Sequence, residues 1–143
     1  MTDEDIRFIP VERRFLKDVI QLLQDISIFM PAYDELEDIW EAYSSQGAVT
    51  SIVAVNNGDE VVGFGTLLVE TKIRGGKLGH IEDIVVSRDA RGRGLGKKII
   101  SELENIALGL DCYKLVLNCS ERNIKFYEAT GLEVNGVSMQ KLF

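Results

Sequence analysis

The residues best equipped for chemistry lie together in Arg91-Gly92-Arg93-Gly94-Leu95-Gly96-Lys97-Lys98, where three glycines and four cations occupy eight positions. The apolar run Ile84-Val85-Val86 precedes this stretch, and a helix-patterned run from Ile99 to Leu108 follows it. Glycines between a strand and a helix let the backbone approach a ligand with its N–H groups unobstructed. A helix N-terminus adds the positive end of its dipole, so the turn suits a phosphate or pyrophosphate. Two nucleotide loops are excluded. G-x-G-x-x-G is absent, and these glycines do not sit in an N-terminal strand–helix–strand unit. G-x-x-x-x-G-K-[ST] fails because Lys97 is followed by Lys98. What remains is Arg91 with Gly94 three and Gly96 five residues later.

Other reactive groups are scattered. Glu82 and Asp83 are adjacent carboxylates with apolar flanks; on a regular strand they point to opposite faces, and a bulge would change that. Tyr127, four residues after Asn123, is a candidate proton donor, because a phenol with a pKa of about 10 keeps its proton at neutral pH. Lys72, Arg74, Lys77, His80 and Lys114 beside Tyr113 are the cations available to an anionic ligand. The blander readings are a packed tyrosine and solvated lysines. Cys112 and Cys119, seven residues apart in one strand-like region, are poorly placed for a bridge and are expected to be buried thiols. A single histidine offers no metal-ligand cluster of the usual spacing.

Periodicity supplies the elements that would position these groups. Ile6–Pro10 alternates and ends at proline, which predicts a strand near a sheet edge. Apolar residues from Phe15 to Ile28 recur at three and four, the pattern of an amphipathic helix stopped or kinked by Pro31. A second helix is predicted over 34–43, with Trp40 in the core. Ser51–Val55 and Val61–Val69 flank Asn56-Asn57-Gly58-Asp59, a hairpin signal, and Gly63 and Gly65 imply a bulge or close packing. A polar loop over Lys72–Lys77 then leads to a strand over Leu78–Val86. Next come a helix over Leu95–Leu108 closed by Gly109, and an apolar, central strand over Tyr113–Cys119. Ser120 caps a short helix through Glu128, closed by Gly131. Two short strands, near 132–135 and 137–142, finish the chain around Gly136. The alternation predicts one α/β domain over residues 1–143 with a mixed, mostly antiparallel sheet.

Composition narrows the class. With 143 residues, 45% of them apolar, the chain can build a real core. A formal net charge of −7 makes a nucleic-acid surface a poor default. No apolar run approaches the ~20 residues of a membrane helix, and the acidic Met1-Thr2-Asp3-Glu4-Asp5 has no signal-like apolar region. A soluble, cytoplasmic protein is expected.

Arg91, Gly94 and Gly96 between a strand and a helix, with Asn123, Phe126-Tyr127 and Gly131-Leu132 downstream, resemble the GNAT superfamily of N-acetyltransferases, which bind acetyl-CoA. Three further blocks are similar in order and spacing to the glucosamine-6-phosphate N-acetyltransferase family: Gly79 through Val86, Cys112-Tyr113-Lys114 and Asn123 through Glu128. The resemblance implies the GNAT (acyl-CoA N-acyltransferase) fold. It implies acetyl transfer from acetyl-CoA to the 2-amino group of glucosamine 6-phosphate, in a ternary complex and without a metal, for UDP-GlcNAc synthesis.

On the cofactor side, the resemblance assigns Ile84, Val85 and Val86 to the pantetheine arm. Arg91, Gly92, Arg93, Gly94, Leu95, Gly96 and Lys97 would meet the pyrophosphate, with Asn123, Phe126 and Tyr127 near the thioester and Tyr127 as acid toward the thiolate. On the acceptor side, it assigns Ser27, Lys72, Arg74, His80, Glu82, Asp83, Tyr113 and Lys114, in a homodimer whose sites are shared. Two positions depart from that family. Asn118 replaces a carboxylate, and an amide cannot take a proton, which leaves Asn118 to orient the amine while water or Glu82 carries the proton. Lys141 lies one position from the expected C-terminal basic residue. Rival readings are a GNAT enzyme for another amine, such as a polyamine or protein N-terminus, and a non-catalytic acetyl-CoA-binding module.

Overall fold

The computed structural model describes residues 5–143, so the acidic opening Met1-Thr2-Asp3-Glu4, expected to carry no signal region, lies outside the described residues. Strands β1 (Arg7–Pro10), β2 (Val49–Val55), β3 (Val61–Thr71), β4 (Lys77–Val86) and β5 (Cys112–Val116) lie side by side in chain order. The first four are antiparallel and β5 runs parallel to β4. A parallel neighbour needs a crossover, and α3 (Leu95–Gly109) provides it. The other helices are α1 (Leu16–Leu23), α2 (Leu36–Ser44) and α4 (Ile124–Glu128).

Both faces of the sheet are covered, which is why Ile52–Val55 of β2 is an unbroken apolar run. Ile52 and Ala54 turn toward Ile99, Ile100 and Leu103 of α3, together with Leu67 and Ile81. Val53 and Val55 turn the other way, with Phe64 and Val85, toward Phe15 and Val19 at the start of α1. Close packing explains the glycines of β3. A Cβ on Gly65 would stand 2.7 Å from Ile84 Cδ1 and 2.8 Å from Ile99 Cγ2, so α3 can approach only where side chains are missing. The β2–β3 turn forms as its sequence predicts. The Asn56 side-chain oxygen accepts from the N–H groups of Gly58 (2.9 Å) and Glu60 (3.0 Å), and Asp59 takes the left-handed conformation at φ +59°.

Four sequence expectations need correction. The first helix, expected through Ile28, ends at Leu23. Gln24 ties it off by donating from its amide to the carbonyls of Ile20 (3.0 Å) and Phe29 (2.8 Å), while Ile28 and Phe29 are exposed and have no core to pack on. The strand expected as central over Tyr113–Cys119 is an edge strand that stops at Val116. Its apolar content serves one flank and one face only, and Tyr113 is 51% exposed. Residues 132–143 form no strand. An isolated hairpin is marginal without a packed face, and Val137, Met139, Leu142 and Phe143 pack on nothing in this chain. Trp40 is half-buried on Tyr43, with ring centroids 5.7 Å apart, and is not a core residue. The two cysteines are free thiols, each only half-buried.

Candidate active site

The site begins where two strands part. β5 pairs with β4 only from Lys77 to His80, so Ile81–Val86 has β3 on one side and no strand on the other. Within that open stretch the β3–β4 register slips between Phe64 and Thr66, and Asp83 takes φ +54°. Asp83 is therefore the extra residue of a bulge, and it and Glu82 are both exposed instead of one being turned into the core. Glu82 stands opposite Thr66, which stands opposite Ser51, giving a polar row across one face. Ser51 and Thr66 hydroxyls lie 2.6 Å apart, and Tyr43 hydrogen-bonds to Ser51.

At the far end of β4 the glycine turn has the expected geometry. Gly92 and Gly94 have φ of +81° and +75°, conformations a side chain disfavours, and α3 starts immediately after Gly94. The first helical bond is donated by Lys98 N–H to the Gly94 carbonyl at 3.1 Å, which leaves the preceding N–H groups directed out of the helix end. Leu95 sends its side chain into the core at 6% exposure, so only its backbone is offered to a ligand. Gly96 is covered by Phe126, whose Cζ would be 3.1 Å from an added Cβ, and that contact seats α4 on the first turn of α3. Arg91 donates from Nε to the Val86 carbonyl at 3.1 Å and from Nη2 to Asp25 at 2.9 Å. Lys97 is exposed on the helix.

Two tyrosines have opposite environments. Tyr127 packs on the α3-side core and edge-on to Phe126 at 4.9 Å, and burial, with a smaller contribution from the charge of Cys119, pushes its phenol above the ordinary range. It stays protonated at neutral pH. Tyr113 is exposed and accepts a hydrogen bond from Arg74 at 3.0 Å, which lowers its phenol pKa. Lys114 lies over the same ring, 5.7 Å from its centroid.

The remaining cations are not equally available. Lys72 Nζ and His80 Nε2 each lie 3.0 Å from one oxygen of Glu70, whose pKa is lowered by those two contacts. Arg74, Tyr113 and Lys114 thus form one cluster, and Lys72 with His80 forms another held by a carboxylate. Ser27 is spent partly on its own loop, accepting from Phe29 N–H at 3.1 Å. Asn118 is exposed just beyond β5, and Asn123 donates from Nδ2 to Ser120 Oγ at 3.3 Å. Sequence reasoning missed Asp25, whose partners lie 63 and 66 residues away, and Glu70, whose pairing with His80 depends on the β3–β4 register. It also missed Ser51 and Thr66, whose alternation in their strands was the only available signal. A cavity of about 420 Å³ beside the turn is lined by Asp18, Asp25, Asp59 and Glu60 together with Arg88; four carboxylates against one arginine make it a poor place for an anion. Among the described residues no group of His, Cys, Asp and Glu could hold a metal ion, and no helix is long and apolar enough to cross a membrane.

Comparison with known proteins agrees with this fold. The Acetyltransferase (GNAT) family matches residues 16–132. A Dictyostelium discoideum glucosamine 6-phosphate N-acetyltransferase is 50% identical over 62% of this chain and 58% of its own length. A Trypanosoma brucei protein of the same name is 34% identical over 98% of both chains. The crystal structure of the Arabidopsis thaliana glucosamine-6-phosphate N-acetyltransferase superposes with a TM-score of 0.89 at 30% identity, covering 96% of this chain and 98% of that one.

The tyrosine environments are open to direct measurement. In a near-ultraviolet pH titration of the folded protein, Tyr113 should ionise below the ordinary phenol range and both Tyr43 and Tyr127 above it. Tyr113→Phe should remove the early component and Arg74→Gln should delay it; an early component that survives Tyr113→Phe contradicts the assignment.

Proposed function

The chain belongs to the GNAT acetyltransferase family, and we propose that it transfers the acetyl group of acetyl-CoA to the 2-amino group of glucosamine 6-phosphate, a product that feeds UDP-GlcNAc synthesis. The observation that carries the reading is the parting of β4 from β5. It leaves a backbone edge leading from the glycine turn at one end to the bulge at Glu82 and Asp83 at the other, with the Arg74–Tyr113–Lys114 cluster beyond the paired segment, beside Lys77 and Leu78. Names of relatives that span nearly the whole chain support the same acceptor.

In this reading the open edge from Ile84 to Val86 takes the pantetheine arm as a further strand would be taken. The N–H groups at the start of α3 bind the pyrophosphate, with Arg91, Arg93 and Lys97 as charge partners. Glu82 and Asp83, thrown outward by the bulge, hold the sugar hydroxyls and the amine region. Arg74 and Lys114 meet the 6-phosphate, while Lys72 and His80 contribute less because Glu70 already partners them. Ser27 supplies a further hydroxyl. Both substrates are bound before reaction, so the neutral amine attacks the thioester carbonyl directly. The new C–N bond forms, the carbonyl oxygen takes negative charge within reach of backbone N–H donors, and the C–S bond then breaks. The thiolate takes the Tyr127 proton, the amine releases one through Glu82 or water, and Tyr127 is restored. Asn118 can orient the amine but cannot remove its proton. No enzyme-bound acyl group is required, so Cys112 and Cys119 have no chemical role.

The same reading assembles two copies around shared sites. Val134, Val137, Met139, Leu142 and Phe143 are exposed in residues 132–143, and the α1–α2 loop exposes Ile28, Phe29 and Tyr33. Apolar surface of that extent is usually covered.

Release of CoA with glucosamine 6-phosphate, compared with unphosphorylated glucosamine and a polyamine, tests the acceptor. The phosphate ester should be preferred by at least about tenfold, the worth of one charge-assisted contact; equal rates, or turnover with the polyamine alone, would sink the claim. Tyr127→Phe should lower kcat by about 10²-fold, the lower end of acid catalysis, with little change in KM for acetyl-CoA; an unchanged kcat removes Tyr127 from the chemistry. Light scattering should give twice the chain mass, and deletion of residues 132–143 should abolish both the dimer and activity. A fully active monomer would overturn the shared-site reading.

A further inference from the structure

We propose that Asp25, at the end of the α1 turn, is a positioning residue that presents Arg91 to the pyrophosphate of the acyl donor. The inference rests on the donor half of the proposed function and is independent of which amine is acetylated. Its basis is the way one guanidinium is consumed. Arg91 spends Nε on the Val86 carbonyl at 3.1 Å and Nη2 on Asp25 Oδ2 at 2.9 Å. Those two nitrogens form one edge of the planar fork, so the protein grips that edge, and Nη1 takes part in neither bond. A guanidinium held this way is already oriented for a bidentate anion, and little side-chain entropy remains to be lost on binding.

Asp25 has the position for this task. Its other oxygen accepts from Arg88 Nη2 at 3.3 Å, so one carboxylate spans both sides of the turn that follows β4. The Asp25 side chain is only 27% exposed, against 52% for Arg91 and 79% for Arg88. Around it stand Asp18, Asp59 and Glu60, which line the same cavity; Asp59 is paired with Arg7 at 2.6 Å. Asp25 is the carboxylate of this group that holds Arg88 and Arg91, and with the Val86 carbonyl it sets the direction of Arg91.

Calorimetric binding of CoA and of pantetheine, which lacks the pyrophosphate, separates orientation from general damage. Wild type should bind CoA much more tightly than pantetheine. Asp25→Ala should weaken CoA about tenfold, the order expected for a lost charge-assisted hydrogen bond, and leave pantetheine within about twofold. Asp25→Asn keeps one acceptor oxygen and should recover part of the loss, and in turnover the defect should appear in KM for acetyl-CoA with kcat nearly unchanged. Arg91→Ala should make the Asp25→Ala change silent in the double variant. Equal weakening of both ligands would show a merely structural role and overturn the proposal, as would unchanged or tighter CoA binding in Asp25→Ala. Equal binding of CoA and pantetheine by wild type would instead remove the pyrophosphate reading of the turn, and the proposal with it. Failure of glucosamine 6-phosphate as acceptor would leave every one of the binding readouts in force.

Discussion

The site depends on β4 having two different sides. Against β3 it is paired along its length; against β5 it is paired for four residues and then abandoned. Backbone polar groups left without partners in a folded sheet are costly unless water or a ligand meets them. An open edge at the centre of a molecule is therefore a binding surface by construction. The parting is held from below. Leu115 of β5 lies over Gly79, where an added Cβ would come within 2.6 Å of Leu115 Cδ2, and Leu117 and Tyr127 pack on the α3-side core. Phe126 on Gly96 fixes α4 against α3 in the same region. The wedge is filled by apolar side chains at its closed end and is left open at its mouth.

Electrostatics on this acidic chain are local. A net charge of −7 would repel an anionic ligand at long range, yet screening confines that field to roughly a Debye length of 8–10 Å. What the ligand meets is the immediate set of donors at the turn and at the β3–β4 hairpin. Each set contains a carboxylate of its own: Asp25 at the turn and Glu70 at the hairpin. The two do different things. Asp25 takes one edge of a guanidinium and leaves the other. Glu70 takes Lys72 and His80 on a single oxygen, which leaves Arg74 and Lys114 as the cations we propose for the phosphate.

Much of this was legible in the residues and some was not, for physical reasons. The glycine turn could be read because positive φ at Gly92 and Gly94 and a helix start after them are local requirements, written in adjacent positions. The Asn56–Asp59 turn was readable for the same reason. The length of α1 was not, since its end is set by Gln24 reaching two carbonyls and not by the proline that follows. The edge position of β5 was hidden because apolar content records that a strand is packed, not how many neighbours it has. The C-terminal residues alternate as a strand does, but alternation does not supply the partner a strand requires. Asp25 was unreadable because its partners lie 63 and 66 residues away.

Proton movement adds a constraint that the geometry meets unevenly. Acyl transfer to an amine must deliver a proton to sulfur and remove one from nitrogen, and the first is well provided for. Burial favours the protonated form of Tyr127, so in the proposed reaction it carries the proton the thiolate needs. Removal is less directly served, because Asn118 cannot accept a proton and Glu82 is exposed to water. That asymmetry suits a nucleophile whose ammonium form is in equilibrium with free amine before attack: deprotonation can then pass to solvent at the open mouth, while the protein controls only the step at the buried end. In the proposed function the same division places α3 and α4 under the leaving group and leaves the hairpin loop and the bulge to the acceptor, so donor binding rests on the α3-side core and acceptor choice on exposed residues that can change without disturbing it.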